Sequence, residues 1–431
     1  DAAWFQYITL SPGPAYDDAA FYATLTDSQA AKVFDPRLFS RTLGKHLADT
    51  FLWMVLIIGA SVTVLLFVFF LDWQLTLAAL LPVIFAFVST LGTLRLLGHP
   101  LDIPGLMLSI IILGMGIDYA LYFVRSHQRY RDASHSSVGL IRMAVFLAAA
   151  STLIGFGSLI FADHRLLKSA GLTCFLGIGY SLIGTFAILP PLLERLFKTA
   201  GQPADRGVHG DNRRGLAGRI INRYRHMETI PRLLTHLRIK RDPMFREPAP
   251  FPGNPQTVLD IGTGYGLSAA WLLELFPTAR IYGAESSPER ARVSGLVVGR
   301  QGRVNCAAAP AIPALPETDI PAQLAVMIDM IHHLSNEDAV LTLKRLHTML
   351  HSDGRLVVRT RVSPDNRPVN ASSIDKIREW LTGRRTYHRT ENNLRELIRR
   401  AGFKQIEVRP CGDGRMGLWL IARKENDGQG Q

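Results

Sequence analysis

Five apolar runs, each long enough to cross a bilayer, follow one another in the first half of the chain, at residues 51–71, 75–97, 103–124, 138–161 and 170–197. A membrane-crossing helix needs roughly 20 predominantly apolar residues. The connections between the runs are short, at residues 72–74, 98–102, 125–137 and 163–169. Soluble cores do not present consecutive runs of this length, so the sequence predicts a polytopic helical membrane segment. After Leu196 the runs shorten and Arg, Gly, Pro and Asp become frequent, which marks the main domain boundary. The overall hydrophobic share of 48% averages two unlike halves.

The formal charge of +12 is compatible in principle with a nucleic-acid partner. The Arg residues are scattered along the second half, however, and basic residues beside membrane helices set orientation and meet anionic lipid. Membrane lipid is therefore the expected partner and nucleic acid is not. Cys174, Cys306 and Cys411 lie far apart with no CxxC pair, so neither a disulfide framework nor a metal site is indicated.

Arg125, Arg129 and Arg131 in one loop, and Arg195 and Lys198 after the last run, fall on one side by alternation. The positive-inside rule makes that side cytoplasmic, with Arg165 and Lys168 opposite and residues 1–50 outside. Residues 35–49 read as an amphipathic approach to the first span. Within the third run, Gly114-Met115-Gly116-Ile117-Asp118-Tyr119 places a carboxyl inside a spanning helix. Such a group is costly unless paired, neutral or hydrated, which points to an ion or proton path; proximity to interfacial water near Arg125 is the alternative. Gly114 and Gly116 would let a neighbouring helix approach closely.

Gly-x-Gly-x-Asp-Tyr followed by Ala-Leu-Tyr-Phe and a basic loop resembles the second-half Asp-Tyr helix of MMPL-type exporters of the RND superfamily. Ala149-Ala150-Ser151-Thr152, Gly155-Phe156-Gly157 and the closing Leu189-Pro190-Pro191 fit the same resemblance, which covers about residues 30–197. It implies a bacterial inner-membrane, proton-coupled exporter of a lipid-like molecule. Asp118 and Tyr119 would form its proton relay, with Ser151 and Thr152 as hydrogen-bond partners. Family members have two such halves and this chain shows one, without an internal repeat. The expectation is that it carries only the end of a transporter, whose missing first half is a partner, and that the fragment alone transports nothing. Asp1 in place of a Met start agrees with a piece of a longer protein.

Residues 199–219 are rich in Gly, Asp, Arg and Pro and read as a linker. Residues 220–237 carry an amphipathic, basic helical pattern, lying either over the following domain or on the membrane surface. Then Thr257-Val258-Leu259-Asp260-Ile261-Gly262-Thr263-Gly264-Tyr265-Gly266 runs from a β-branched strand into three alternate glycines and a helix at 267–276. Glycines at a strand-to-helix turn let backbone approach a ligand, and the helix N-terminus offers amide donors. Dinucleotide sites share this architecture, but their spacing is Gly-x-Gly-x-x-Gly. A second strand ends at Glu285, about 20 residues after the glycines, where a carboxylate accepts from ribose hydroxyls. Further strands are expected at 324–328 and 355–360 with a turn at 351–354 between helix and strand. A helix at 391–401 and two strands at 404–409 and 417–422 close the domain. The fold class is thus mixed: an α-helical polytopic segment followed by an α/β doubly wound sheet with a closing antiparallel pair.

The glycine motif, Asp329-Met330-Ile331-His332-His333-Leu334 after a buried strand, Gly354-Arg355-Leu356-Val357-Val358 and Ala401-Gly402-Phe403 together resemble class I methyltransferases. Arg241-Asp242-Pro243-Met244-Phe245 resembles the lead-in of methyltransferases that accompany lipid or polyene synthesis. The resemblance implies a Rossmann-like domain binding S-adenosyl-L-methionine through Asp260, Gly262, Gly264, Gly266, Glu285 and Asp329. Its cytosolic cosubstrate places the domain in the cytoplasm. Ala307-Ala308-Ala309 stands where many members carry an Asp toward adenine, so adenine would rest on backbone and apolar contacts.

Methyl transfer is an in-line displacement in which positioning dominates, and an oxygen nucleophile also has to lose a proton. Candidate bases are His332, His333 and His388, because the ordinary histidine pKa suits that work; the His pair could equally line the cosubstrate pocket. Tyr387 and His388 precede the last helix, where substrate-facing residues lie. The expected domains are an extracytoplasmic remnant and approach helix (1–50), a membrane segment (51–197), a linker (198–219), the methyltransferase (220–424) and a disordered tail (425–431). The expected activity is O-methylation of a small hydrophobic or lipid-like acceptor by a fusion protein. Alternatives are export as the main function with a degenerate accessory domain, and a Rossmann-type oxidoreductase.

Overall fold

The computed structural model describes residues 9, 11, 13–14, 16–28, 36–99, 103–131, 135–201, 215–251, 253–312, 321–362, 386–412 and 417–424. Most of the expected linker and the whole expected tail lie outside them. The chain divides into two compact units, one of residues 1–65, 83–118 and 148–182, the other of residues 66–82, 119–147 and 183–431. The helices of the membrane segment contribute to both.

Those helices are α2 (Pro36–Phe70), α3 (Trp73–Leu96), α4 (Ile103–Tyr130), α5 (Ser136–Ser158) and α6 (Arg165–Ile183), preceded by a short α1 (Asp18–Ser28). Among the described residues four stretches are long and apolar enough to cross a membrane: Phe39–Phe70, Trp73–Leu96, Ser136–Phe161 and Arg165–Phe197. Five were expected. The remaining one lies within α4, a continuous 28-residue helix, part of whose N-terminal half falls outside the described side chains.

In the first unit, glycine brings helices together at selected positions only. A Cβ at Gly116 would lie 2.7 Å from the Ser181 hydroxyl oxygen and 3.2 Å from Val83, so α4 meets α6 and α3 there. Gly177 faces Ile112 just as closely, whereas Gly114 faces open space. Of the two glycines expected to admit a neighbour, one does so. Thr152 spends its hydroxyl on the Ala148 carbonyl of its own helix, 2.6 Å away, rather than on Asp118.

In the second unit, a π-turn at Gly184–Ile188 precedes α7 (Leu189–Gly201). Pro190 and Pro191 lack the N–H groups that would bond back into this turn, and a widened turn accommodates the loss. The expected helix over 220–237 is instead two helices, α8 (Leu216–Arg223) and α9 (Thr229–Arg241). The break has a physical cause: Tyr224 and Met227 turn into the core, and His226 takes a φ of +60°. A continuous helix cannot hold that left-handed backbone.

Seven strands then form one sheet in the order β3-β2-β1-β4-β5-β7-β6. The strands are β1 (Thr257–Ile261), β2 (Arg280–Glu285), β3 (Gly302–Cys306), β4 (Ala322–Ile328), β5 (Leu350–Arg361), β6 (Phe403–Cys411) and β7 (Gly417–Lys424). β1 to β5 are parallel; β7 runs antiparallel between β5 and β6. The linking helices are α10 (Leu267–Leu275), α11 (Pro288–Val298), α12 (Asn336–Met349) and α13 (Glu391–Arg400). Two apolar layers cover the sheet, one centred on Trp271, Trp419 and Phe276, the other on Leu343, Leu346, Leu394 and Ile398. Burial on both faces explains why β1 is apolar at every position except Asp260 and Thr257.

The turn expected at 351–354 is absorbed into β5: Ala322 pairs with Leu350 and Leu324 already with Arg355, so 351–354 form an outward bulge in one strand. β3, with Arg303 and Asn305 on a half-exposed edge strand, has too little apolar content to stand out in the sequence.

Candidate functional site

β1 lies at the centre of the parallel sheet, and the chain order reverses between β1 and β4. Ligands of doubly wound sheets bind outside the carboxyl ends of the strands at such a switch point. Asp260, the penultimate residue of β1, is fully buried. Ser268, in the first turn of α10, donates its hydroxyl to Asp260 Oδ2 at 2.6 Å, while Oδ1 has no hydrogen-bond partner among the described residues. Burial, reinforced by the nearby Glu285 charge and opposed by the Ser268 hydrogen bond, pushes the carboxyl up to about 7.

The glycine loop is pinned to β2. Gly262 N–H donates to the Ala284 carbonyl at 2.8 Å, and Gly264 N–H donates to Glu285 Oε2 at 3.0 Å. Glu285 Oε1 accepts from Ser287 N–H, also at 3.0 Å. With the Ser286 hydroxyl also donating to Oε1 at 3.3 Å, the carboxylate fixes two turns at once and keeps Oε2 able to accept from a further donor. Two glycines serve different ends. Gly264 has a φ of +57° and nothing within 4 Å of where a Cβ would stand, so the loop has an open face there. Gly266 has a φ of +86°, and a Cβ would lie 2.9 Å from Ser294 Cα on α11. The first leaves room for a ligand; the second lets α10 start against α11.

At the end of β4, Asp329 adopts a φ of +50°. Its Oδ2 accepts from Arg359 Nη1 at 3.0 Å on β5 and from Arg238 on α9. Arg359 also grips Asp242 with both terminal nitrogens, at 2.8 and 2.6 Å. Its guanidinium lies over the Trp419 ring, 5.8 Å from the centroid. Burial alone would lower the Arg359 pKa, but Asp329 and Asp242 outweigh it and hold the guanidinium above its ordinary range. Sequence reasoning singled out Asp242 only within a resemblance and missed Arg359, although an arginine inside the buried Val357-Val358-Arg359-Thr360 run was the available signal.

His332 and His333 follow in a single turn, their rings 4.1 Å apart. Arg389 wraps that turn: it donates to the Ile331 carbonyl at 2.8 Å, the Leu334 carbonyl at 2.6 Å and Asn336 Oδ1 at 2.9 Å. Tyr387 N–H donates to the His332 carbonyl at 2.7 Å. The short segment carrying Tyr387 and His388 is thus held against the His pair, with His388 itself exposed. Arg389 gave no sequence signal, since a single arginine before a helix is ordinary. Ala307 N–H donates to the Glu285 carbonyl, so the Ala307–Ala309 turn lies beside the second acid.

Residues 222–408 match the family model described as a methyltransferase domain, and residues 43–233 match the MMPL family model. The C-terminal part is a class I methyltransferase domain. The part before it is an MMPL-family membrane segment, and the two matches overlap across the turn between α8 and α9. Over 169 residues the chain is 25% identical to the mitomycin biosynthesis 6-O-methyltransferase of Streptomyces lavendulae, covering 39% of this chain and 47% of that protein. Over 145 residues it is 29% identical to the hopanoid transporter HpnN of Burkholderia multivorans, covering 33% and 16% respectively. It is also 29% identical over 140 residues to a membrane protein of Methanocaldococcus jannaschii, covering 31% and 36%. The chain spans less than half the length of each of these relatives.

The methyltransferase domain takes S-adenosylmethionine as its methyl donor. Its residues fit that molecule: an unsatisfied buried carboxylate oxygen on Asp260, an open face over Gly264 and a second carboxylate at the end of β2. Asp118 and Tyr119 lie on α4, Asp118 exposed and Tyr119 buried.

Proposed function

We propose that the chain methylates a small hydrophobic or lipid-like acceptor, at an oxygen atom, on the cytoplasmic face of a bacterial inner membrane. The observation that carries this reading is the Asp260–Gly264–Glu285 constellation, set in a domain whose α9 is bonded to the end of a membrane span. Thr229 donates its hydroxyl to the Phe69 carbonyl at 2.6 Å, and Arg232 donates to the Phe70 carbonyl and pairs with Asp72.

S-adenosylmethionine supplies an electrophilic methyl group on a sulfonium. Asp260 Oδ1 would hold its cationic amino-acid end, Gly262 to Gly266 would admit it against the backbone, and Glu285 would accept from the ribose hydroxyls. The Ala307–Ala309 turn offers the adenine an apolar and backbone surface. Asp329 is committed to two arginines, so its part is to fix the wall of the pocket. The acceptor's proton goes to an imidazole nitrogen of His332 or His333, whose turn Arg389 immobilises; His388 is the more exposed candidate on the facing segment. The O-methyltransferase and hopanoid-transporter relatives support an oxygen nucleophile on a lipid-like skeleton.

In the same reading residues 220–424 form the methyltransferase domain, and Asp118 with Tyr119 forms a proton relay in the membrane segment. Calorimetry of the full chain in nanodiscs with S-adenosylmethionine, beside Asp260→Asn, tests the first part. Binding lost in the variant supports it. No binding by the folded wild-type chain defeats it and moves the functional weight to export.

A further inference from the structure

α9 carries an apolar stripe on the wrong side for a domain helix. Ile230, Leu233, Leu234 and Leu237 are 64%, 49%, 46% and 40% exposed. At about 100° per residue they share one face of the helix. Pro231, Thr235 and Ile239, which are buried, share the opposite one. The domain is therefore satisfied by one face of α9, and four large aliphatic side chains remain in water. Contiguous exposed apolar surface of this kind marks a binding surface rather than an ordinary scatter of leucines.

What covers it follows from where α9 begins. Its first residue bonds the Phe69 carbonyl in the last turn of α2, and one turn later Arg232 still reaches Phe70 and Asp72. On that stretch of the span Phe67, Val68, Phe69 and Leu71 are themselves exposed, and Trp73 opens α3 at 64% exposure. These are the lipid-facing residues of a span end, with a tryptophan at the depth where aromatic belts form. The turn ahead of α9 is clamped there: Glu228 is surrounded by Arg125, Arg129 and Arg292. α9 itself has no acidic residue and ends in exposed Lys240 and Arg241. An apolar face, flanking cations and a start at the span end are the features of an interfacial helix.

We infer that α9 is a membrane-surface helix whose Ile230, Leu233, Leu234 and Leu237 face is buried among the acyl chains and headgroups of the bilayer that surrounds α2 and α3. The lipid is the occupant; a second copy of the chain or another protein is not. Arg238, on the flank of the same helix, reaches Asp329 at the end of β4. α9 thus links the bilayer surface to the carboxyl end of the sheet. The inference rests on the membrane segment and stands whether or not the acceptor is lipidic.

The test uses the full chain in nanodiscs of phosphatidylcholine and phosphatidylglycerol. Leu234→Cys in a Cys306→Ser background carries an environment-sensitive fluorophore, and a matched label at Leu341→Cys, exposed on α12, serves as the aqueous control. Phosphatidylcholine spin-labelled in its acyl chain should quench position 234 at least ~3-fold more than position 341, while iodide should quench 341 more. Quenching of both positions by iodide alone would overturn the inference. So would a shielded 234 label that ignores the lipid spin label, or one whose shielding depends on protein concentration. A double Leu233→Asp, Leu237→Asp variant with an unchanged thermal midpoint gives a second reading: it should lose the lipid quenching at 234.

Discussion

Ser268 donates to one oxygen of the Asp260 carboxyl, and the other has no partner among the described residues inside a fully buried strand end. A carboxylate in that setting is costly, and burial accordingly pushes the Asp260 carboxyl up to about 7. Under the proposed function the missing partner is the cationic end of the cosubstrate.

A pH dependence of stability follows. An unfolded Asp loses its proton near 3.9, whereas folded Asp260 keeps it up to about 7. Between those values the folded chain holds the extra proton, so stability falls as pH rises, by at most ~1.4 kcal/mol per pH unit from this group, and levels off above about 7. Thermal unfolding of wild type and Asp260→Asn across that window checks it: the variant should lose this contribution.

Cosubstrate affinity should move the other way. A cationic ligand near Oδ1 favours the ionised carboxylate, so binding near neutral pH releases a proton and tightens as pH rises toward about 8. Calorimetry in two buffers of different ionisation enthalpy measures the proton count. A count unaffected by Asp260→Asn would contradict the assignment.

Gly264→Ala and Gly266→Ala should separate binding from folding. At Gly264 the added methyl meets nothing and incurs only the left-handed backbone cost of roughly 1–2 kcal/mol. At Gly266 it also meets Ser294 Cα and Val297 Cβ, at 2.9 and 3.1 Å, so α10 and α11 have to part. The first variant should lose mainly cosubstrate affinity, the second mainly thermal stability by several degrees.

Arg389→Ala should reduce turnover at least ~10-fold while cosubstrate affinity changes about 2-fold or less. It removes the donor that holds the His332–His333 turn, touching neither Asp260 nor Glu285. The pH–rate profile is the decisive readout, because a loosened base changes the acidic limb and a purely structural loss does not.

Arg359→Met leaves Asp242 and Asp329 to share the half-exposed Arg238 as their cation and should cost up to about 3 kcal/mol. Adding Asp242→Asn should restore part of it. Denaturant titration of the two variants measures the difference.

The membrane segment, the buried parallel strands other than β3 and the glycine turn were legible because each is written in a local period: runs of about 20 apolar residues, buried strands, alternate glycines. Asp260 and Glu285 were legible for the same reason, since a strand end and a spacing from the glycines suffice to place them. The break between α8 and α9 was not, because Tyr224 and Met227 continue a helical pattern and only the core they enter turns the chain. β5 likewise contains a Ser-Asp-Gly sequence that reads as a turn, and only pairing with β4 on both sides of it, at Leu350 and again from Arg355, carries the strand through it as a bulge.

By itself the sequence determined that a polytopic helical segment precedes a doubly wound α/β domain, because hydrophobic period and turn chemistry act over a few residues at a time; the families came from the resemblance of its motifs. Only the tertiary structure decided which groups face one another. Arg359 meets Asp242 across 117 residues of chain, and Thr229 meets Phe69 across 160. Such pairs are fixed by the packing of the sheet and of the helix ends, and no local pattern encodes them.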